Sequence, residues 1–324
     1  MLITANTKVY IFCPAHAQSG GPEALHQLRF YLEACNLESY LVYYNKENNN
    51  LTPARYEIYN PKVLELEDII DNHENIMIVP ESNTRLLLGY QNLQKAIWWL
   101  GISANDIFMF KKNFKNLIKK FIRKRLSKKY VNNVYNLCGS KFAYQFLEKK
   151  KIKNIHYLVE PISRDFLLDS SEICLKASNR VDTVLYNPSK PSETLTKLLK
   201  SERIKFIPLR GYTPQGLAEL FRSSKLYIDF GEFGGPERLP KETVFFGMMI
   251  LVGKQNAATN DFDVAIPEKY KLSGFNDIEN IEKQILELLR NYEDAVNDFA
   301  SFRQKIMMLE ANFIQQIKEI FLKN

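Results

Sequence analysis

The stretch Leu226–Gly253 reads LYIDFGEFGGPERLPKETVFFGMMILVG and combines two apolar runs with a glycine-rich, charged segment between them. An apolar run, Leu226–Phe230, leads into a glycine-rich loop, and Pro240 opens a short helical pattern. A second apolar run, Met249–Val252, follows that pattern. Short apolar runs separated by helical patterns are typical of parallel strands whose two faces are covered by helices. The stretch therefore predicts two parallel strands with a polar loop at a carboxyl end.

Five charged side chains lie in this loop and in the helix that follows it: Glu232, Glu237, Arg238, Lys241 and Glu242. Backbone amides at a helix start can bind a diphosphate together with basic side chains, and an arginine offers two parallel hydrogen bonds. A carboxylate one turn into the helix can accept hydrogen bonds from ribose hydroxyls. A solvated charged turn is the alternative, which the clustering of five charges between two apolar strands disfavours.

Two further strands are predicted upstream, Val181–Tyr186 and Lys205–Leu209. The first strand is followed by a loop that contains Asn187 and Lys190, and the second strand is followed by Arg210. Because both loops would lie at carboxyl strand ends, on the same rim as the glycine-rich loop, Lys190 and Arg210 are candidate phosphate ligands. Helical patterns alternate with these strands at Ser192–Ser201, Gln215–Ser223 and Lys241–Phe246.

The first half of the chain repeats this kind of unit. The strand Val9–Cys13 is followed by a turn, Ser19-Gly20-Gly21, and by a helix that Pro22 opens. Glycine amides at such a helix start can approach a ligand closely, although a simple tight turn is the alternative. The other predicted elements are the strands Leu41–Tyr44, Ile76–Pro80, Ala96–Leu100 and Ile155–Val159 and the helices Arg85–Gln94 and Phe142–Lys150.

The length of 324 residues is enough for two domains, and we place their boundary near residues 160–180. The alternation of strands and helices predicts an α/β fold with one parallel sheet in each domain. The tail Asp277–Asn324 has a helical pattern without Pro or Gly. Two such sheets facing each other would place a ligand site in a cleft between the domains, at the carboxyl ends of the strands.

These elements in this order resemble the GT-B glycosyltransferases, in particular bacterial enzymes that build capsule, lipopolysaccharide or other surface glycans. The segments that carry the resemblance are Ser19–Glu23, Cys138–Ala143, Asn187–Lys190 and Gly235–Glu242. The resemblance implies two Rossmann-like domains facing a central cleft, with a helical C-terminal tail. It also implies an acceptor-binding domain over residues 1–165 and a nucleotide-sugar-binding domain over residues 166–324.

The resemblance assigns Lys190, with Arg238 or Lys241, to the diphosphate and Glu242 to the ribose. The full set of expected donor-binding residues is Asn187, Lys190, Arg210, Gly234, Gly235, Glu237, Arg238, Lys241 and Glu242. Retaining members often have two glutamates separated by seven residues, and counting back from Glu242 gives Gly234. Glu232 or Glu237 can substitute only through a shifted loop, so the retaining and inverting routes both stay open.

An inverting route needs a general base in the first domain to deprotonate the acceptor hydroxyl. The candidates near the ends of predicted strands or the start of the following helix are His16, Glu23 and Glu81. His26 is less suitable because it falls inside the helix. The turn residues Ser19, Gly20 and Gly21 are the candidate acceptor-binding loop.

We expect neither a metal ion nor a cofactor, because a nucleotide sugar would be a substrate. The segment Asp261-Phe262-Asp263 has the spacing of the metal-binding aspartates of the GT-A architecture, but it lies after the predicted nucleotide-binding loop. In the GT-B hypothesis, helix-start amides and basic side chains stabilise the departing diphosphate instead. The four cysteines are widely spaced, which predicts reduced thiols.

The segment Phe108–Tyr130 contains ten basic residues and no acidic residue, with apolar side chains at helical spacing. A helix of this kind can bind an anionic membrane surface, and we expect this contact through Lys111–Lys129. A helix packed on the core and a nucleic-acid patch are the alternatives, and we expect no nucleic acid. Because no run approaches about 18 apolar residues, we expect a cytoplasmic protein, peripheral at the inner face of the membrane.

The predicted function is sugar transfer from a nucleotide sugar to a glycan or lipid-linked acceptor in bacterial surface polysaccharide synthesis. A catalytically inactive, membrane-associated protein that binds glycan or nucleotide on the same fold is the main alternative. A basic nucleic-acid-binding protein is a third. The fold alone does not separate these functions.

Overall fold

The computed structural model of the protein describes residues 1–45, 52–102, 126–169, 173–274 and 277–322. The contacts between residues divide the chain into two compact units. The first unit contains Met1–Pro161 together with Glu310–Asn324, and the second contains Ile162–Leu309.

The first unit is built on a six-stranded parallel sheet with the strand order β2-β1-β3-β4-β5-β6. Its strands are β1 (Lys8–Pro14), β2 (Glu38–Tyr44), β3 (Ile76–Pro80), β4 (Gln94–Trp99), β5 (Tyr135–Cys138) and β6 (Ile155–Tyr157). Among the described residues up to 161, the helices are α1 (Gly20–Ala34), α2 (Lys128–Asn132) and α3 (Lys141–Lys149). Short 3-10 segments cover Ala54–Tyr59, Leu66–Asp68 and Glu81–Gly89.

Apolar side chains cover both faces of this sheet, which explains why its strands are nearly continuous apolar runs. Successive residues of a strand point to opposite faces. Trp98 accordingly belongs to the core on one face and Trp99 to the core on the other. Leu25, Leu28 and Leu32 of α1 pack into the same core as Trp98. Because both faces are buried, a parallel sheet of this kind binds its ligands at the carboxyl ends of its strands.

The helix expected over residues 85–94 is absent from that stretch, and this prediction was wrong. The residues form the end of a 3-10 segment, Glu81–Gly89, which a non-helical conformation interrupts at Asn83, and β4 already begins at Gln94. The carboxylate of Asp71 accepts hydrogen bonds of 2.9 Å from the amides of three residues, Gln91, Asn92 and Leu93. These amides are therefore bound by a distant side chain instead of by a helical turn.

The second unit is built on a five-stranded parallel sheet with the order β11-β10-β9-β7-β8. Its strands are β7 (Val181–Tyr186), β8 (Lys205–Pro208), β9 (Ser224–Asp229), β10 (Met249–Gly253) and β11 (Lys271–Leu272). Its helices are α4 (Arg164–Leu167), α5 (Glu193–Leu198), α6 (Pro214–Ser223), α7 (Arg238–Phe245), α8 (Ile278–Arg290), α9 (Tyr292–Ala295) and α10 (Ala300–Met307).

The last helix, α11 (Leu309–Phe321), returns to the first unit, whereas we expected the whole tail to belong to the second domain. Phe313 and Ile317 are fully buried in the core that contains Trp98. The rings of Phe313 and Trp98 are stacked with centroids 6.0 Å apart. The helical periodicity of the tail predicted its conformation but not the surface on which its apolar side packs.

The predicted α/β class, with one parallel sheet in each half of the chain and a helical C-terminal segment, is confirmed. The predicted basic helix lies largely outside the described residues, which resume at residue 126 and place Lys128 and Lys129 in α2. Within the described ranges, no helix has the length and apolar character required to cross a bilayer.

Candidate functional site

The candidate donor site lies at the carboxyl edge of the second sheet. The strands β9, β7 and β8 are neighbours in that order and run parallel, so their carboxyl ends meet at one edge. Lys190 follows β7, Arg210 follows β8, and the glycine-rich loop Gly231–Glu237 follows β9. This edge is where open parallel sheets bind their ligands.

The ammonium group of Lys190 lies at the centre of a charged cluster. Its Nζ is 2.6 Å from Oε2 of Glu237 and 3.9 Å from Oδ2 of Asp229. It also donates a hydrogen bond of 3.2 Å to the carbonyl oxygen of Glu232. The same nitrogen lies 5.2 Å from the centroid of the Phe233 ring, within the range of a cation–π contact. One cation is thus shared by two carboxylates and a main-chain carbonyl.

Asp229 is the carboxylate that the sequence analysis missed. It is the last residue of β9, it is buried, and Oδ2 accepts a hydrogen bond of 3.1 Å from the Tyr227 hydroxyl. Its signal in the sequence is an aspartate inside an otherwise apolar run, which is unusual because a buried carboxylate requires partners. Burial raises the pKa of Asp229, while the Lys190 ammonium and the Gly231 amide act in the opposite direction.

Gly231 allows Lys190 and Asp229 to approach each other. A Cβ atom at this position would lie 3.0 Å from Cβ of Lys190 and 3.1 Å from Oδ1 of Asp229. Its amide donates to Oδ1 of Asp229 at 2.9 Å, and its carbonyl accepts from Nε2 of Gln255 at 2.7 Å. The loop after β10 therefore holds the start of the glycine-rich loop in place.

Glu237 occupies a strained backbone conformation immediately before α7. Its φ of 51° and ψ of 145° lie in a region that residues other than glycine rarely adopt. Conformations of this kind cost on the order of 1–3 kcal/mol and are concentrated at functional sites. Burial raises the pKa of Glu237, and the Lys190 ammonium opposes that shift. Its side chain is 25% exposed, so ligands have access to it.

The charged residues of α7 lie in a more buried environment than we expected for residues that meet a ligand. Lys241 and Glu242 are both buried. Oε1 of Glu242 lies 3.9 Å from Nη1 of Arg238 and accepts a hydrogen bond of 3.4 Å from the Ser163 amide. The proposed ribose ligand therefore also binds the chain just before α4.

The remaining donor candidates lie in the loops that follow the same strands. Asn187 forms a turn, because its side-chain oxygen accepts from the Ser189 amide at 3.0 Å and its carbonyl accepts from the Lys190 amide at 3.2 Å. Arg210 is exposed after β8. Gly234 and Gly235 lie in the loop itself. The structure thus brings Lys190 and Glu237 together and leaves Arg210 on the adjacent loop.

In the first unit, a network of buried polar side chains fixes the predicted acceptor loop. The carbonyl of Ser19 accepts a hydrogen bond of 3.0 Å from the Tyr56 hydroxyl, and α1 begins at Gly20. Glu23 is buried in the first turn of α1 and accepts hydrogen bonds from Tyr59 at 2.8 Å and from Arg55 at 3.3 Å. Glu23 therefore holds the loop in position, which leaves its carboxylate less suited to act as a base.

The other two candidate bases lie after β1 and β3. His16 has a left-handed backbone with φ of 61°, and its Nε2 is buried without a hydrogen-bond partner among the described residues. The carboxylate of Glu81 accepts a hydrogen bond of 3.2 Å from the Leu100 amide. Of the three candidates, His16 alone combines a left-handed backbone with a ring nitrogen that has no hydrogen-bond partner among the described residues.

His26 lies beneath the acceptor loop and is held as a neutral imidazole. Nδ1 lies 2.7 Å from the Pro22 carbonyl, which can only accept, so Nδ1 carries the proton. Nε2 must then accept from the Tyr43 hydroxyl, which lies 2.7 Å away. Burial lowers the pKa of His26 to about 4, although the Pro22 carbonyl opposes that shift.

We expect the first unit to lose stability as the pH falls from about 6.5 to about 4. The unfolded chain, with an ordinary histidine pKa, binds a proton in this window that folded His26 does not, which costs about 3 kcal/mol. Urea unfolding at each pH, followed by tryptophan fluorescence, measures the free energy of unfolding of the first unit, because Trp98 and Trp99 both lie in that unit. His26→Gln should lose this part of the pH dependence and keep the part due to other groups. An unchanged pH profile in that variant would contradict the assignment.

The two aspartates that resemble a GT-A metal site bind other side chains. Oδ1 of Asp261 lies 2.7 Å from Nζ of Lys271, and Oδ2 of Asp263 accepts a hydrogen bond of 2.8 Å from Asn260. Across the parts of the chain that the structure describes, no group of three or more His, Cys, Asp or Glu side chains could hold a metal ion.

Comparison with solved structures decides the architecture. The crystal structure of TarM superposes with a TM-score of 0.70 at 9% sequence identity, covering 98% of this chain and 99% of that one. WaaG, a glycosyltransferase involved in lipopolysaccharide biosynthesis, gives 0.61 at 10% identity, covering 98% and 100%. The chain has the GT-B fold. HepE from Anabaena, in complex with UDP-glucose, gives 0.62 at 11% identity, covering 97% and 99%.

These similarities confirm the GT-B fold predicted from the sequence, because each extends over nearly the whole length of both chains. No protein-family model and no curated protein matches the sequence. At identities of 9–11%, the similarity establishes the fold alone. The activity of a protein depends on the side chains at its site, and a shared fold does not determine them.

Proposed function

We propose that the protein is a glycosyltransferase that moves a sugar from a nucleotide-sugar donor to an acceptor hydroxyl. The observation that carries the proposal is Lys190, a cation at the carboxyl edge of the second sheet, beside a glycine-rich loop and the start of α7. The GT-B fold supports it, and HepE with this fold is complexed with UDP-glucose. We propose a hexosyl donor of this class.

In this proposal, Lys190 and Arg238 bind the diphosphate and Arg210 approaches it from the neighbouring loop. Glu242 accepts hydrogen bonds from the ribose hydroxyls. As the bond to the sugar breaks, negative charge develops on the departing diphosphate, and the basic side chains and loop amides stabilise it without a catalytic metal or cofactor. Lys241 is buried, which makes Arg238 the stronger candidate of the two.

We propose that the first unit binds the acceptor near Ser19, Gly20 and Gly21. If the route is inverting, His16 is the preferred base, since the carboxylates of Glu23 and Glu81 already accept hydrogen bonds from neighbouring groups. The base would take the proton of the acceptor hydroxyl while its oxygen attacks the sugar carbon that bears the diphosphate.

The donor assignment is tested by replacing Lys190 with methionine. We expect the affinity for UDP or GDP, whichever the wild-type protein binds, to fall about 10- to 100-fold, because one charge-assisted hydrogen bond to phosphate is lost. Isothermal titration calorimetry measures the change. Lys283→Met, on an exposed position of α8, is the matched control and should bind like the wild type. Unchanged affinity in Lys190→Met would refute the phosphate assignment.

We further propose that the acceptor is a glycan or lipid-linked intermediate of bacterial surface polysaccharide synthesis, used at the inner face of the cytoplasmic membrane. The support is the distribution of charge. Of the 22 basic residues at positions 1–160, ten lie in residues 108–130, which leaves 12 basic against 14 acidic residues elsewhere in that range. The positive charge is therefore concentrated in one segment, as expected for a contact with anionic lipid.

A further inference from the structure

Lys190, the proposed diphosphate ligand, is already bound by oxygen atoms of its own chain. Its ammonium group has three donors, and the carboxylate of Glu237 at 2.6 Å and the carbonyl of Glu232 at 3.2 Å each accept one of them. Asp229 lies at 3.9 Å on the same cation. A phosphate oxygen that binds Lys190 therefore either shares the cation with these groups or displaces one of them.

The charge of the cluster favours displacement of a carboxylate over sharing of the cation. Two carboxylates surround one ammonium group, and a diphosphate would add at least two further negative charges within a few ångströms. Like charges at such distances repel strongly, more so where water is partly excluded. Diphosphate binding is therefore strengthened if one carboxylate leaves the cation or takes up a proton.

Glu237 is the carboxylate that can leave. Asp229 belongs to a strand, is buried, and is held by the Tyr227 hydroxyl and the Gly231 amide. Glu237 lies in a loop beside Gly234 and Gly235, and its side chain is partly exposed. Its backbone is in a left-handed conformation that a glutamate adopts only when something holds it there, and the 2.6 Å ion pair with Lys190 supplies such a hold.

We propose that Glu237 is an internal competitor of the donor diphosphate, which holds Lys190 in the free protein and gives up that position when the diphosphate binds. This inference rests on the proposed function of the same site. It adds that the protein exchanges an intramolecular carboxylate for a phosphate, so the loop Gly231–Glu237 changes conformation on binding. It also assigns to Glu237 an effect on affinity opposite to that of an ordinary ligand.

The test compares the wild-type protein with Glu237→Gln by isothermal titration calorimetry, using UDP, GDP and inorganic pyrophosphate as probes. Glutamine keeps the shape of the side chain but removes the charge that competes for Lys190. We expect at least one of the nucleotides to bind about tenfold more tightly to the variant. Glu237→Gly, which also suits the positive φ, should bind at least as tightly.

A matched control separates this effect from a general change of charge. Glu219→Gln removes one negative charge from an exposed position of α6 in the same unit. It should bind the nucleotides as the wild type does, and equal tightening in Glu219→Gln would overturn the inference.

The remaining outcomes distinguish the inference from the function on which it rests. One outcome is that the wild type binds a nucleotide through Lys190 while both Glu237 variants bind it no more tightly than the wild type does. In that case Glu237 either binds the nucleotide or has no effect on binding, and only the inference fails. If no probe binds to the wild type or to either Glu237 variant, the proposed function and the inference both fail. Tighter binding in both Glu237 variants supports the exchange.

Discussion

Replacing Arg180 with methionine should lower the free energy of unfolding of the second unit by about 3–5 kcal/mol, the range for disrupting a buried charged network. Arg180 is buried, and its guanidinium donates to four main-chain carbonyls. The acceptors, at 2.6–3.1 Å, are Cys174, Phe221, Ser224 and Phe246. Methionine has a similar length but no donor, so these carbonyls would lose their charged partner inside the protein.

Two of these acceptors explain why a cation is suited to this position. Phe221 lies in the last turn of α6, and Phe246 is the C-terminal cap of α7. Carbonyl groups at a helix C-terminus are not used within the helix and carry partial negative charge. One guanidinium therefore binds the ends of two helices, and it also lies over the ring of Tyr292 at 5.4 Å.

Far-UV circular dichroism during urea unfolding follows the loss of secondary structure in both units, whereas the fluorescence of Trp98 and Trp99 follows the unfolding of the first unit alone. We expect the dichroism transition of Arg180→Met to move to lower urea and the fluorescence transition to move less. Arg203→Met is the control, because this arginine is 67% exposed and its pair with Glu282 contributes little. A variant of Arg180 as stable as the Arg203 variant would show that the network is not important for stability.

Neutralising four basic residues should reduce binding to anionic vesicles by on the order of 1000-fold. The residues to be replaced by glutamine are Lys119, Lys120, Arg123 and Lys124. Each contributes about 1 kcal/mol near a negatively charged surface, and about 4 kcal/mol in total corresponds to that factor. This expectation rests on the sequence, because these four positions lie outside the described residues.

Flotation with vesicles that contain phosphatidylglycerol measures this binding, and phosphatidylcholine vesicles give the background. A control with the same change of charge replaces four exposed lysines of the second unit by glutamine: Lys176, Lys197, Lys200 and Lys283. The control should float like the wild-type protein. Equal flotation of the segment variant and the wild type would contradict the membrane proposal, and equal losses in both variants would show only a general charge effect.

The strands were predicted most accurately where their sequence is apolar on both faces. Ile76–Pro80 has the predicted bounds, and Met249–Gly253 extends one residue beyond the prediction. Such runs are local signals, because a strand covered on both sides requires apolar residues at nearly every position. The helix start near Pro22 was similarly indicated by the sequence, since proline favours the first turn of a helix.

Predictions failed or were incomplete where a distant group decides the local structure. The Asp71 carboxylate binds the amides of Gln91, Asn92 and Leu93, and no periodicity within that segment indicates it. The helix α11 has an ordinary amphipathic pattern, but its partner is the core around Trp98, more than half of the chain away. Asp229 was not predicted as a site residue, because its role depends on its distance from Lys190, which the sequence does not show.

The amino-acid sequence by itself determined two parallel sheets with helices, and it indicated the loops that would lie at their carboxyl edges. This was possible because burial and turn formation are properties of short segments. Only the tertiary structure decided that Glu237, the Glu232 carbonyl and Asp229 surround Lys190. Lys190 and Glu232 are 42 residues apart, and such contacts depend on how β7 and β9 pair in the sheet, which no local pattern encodes.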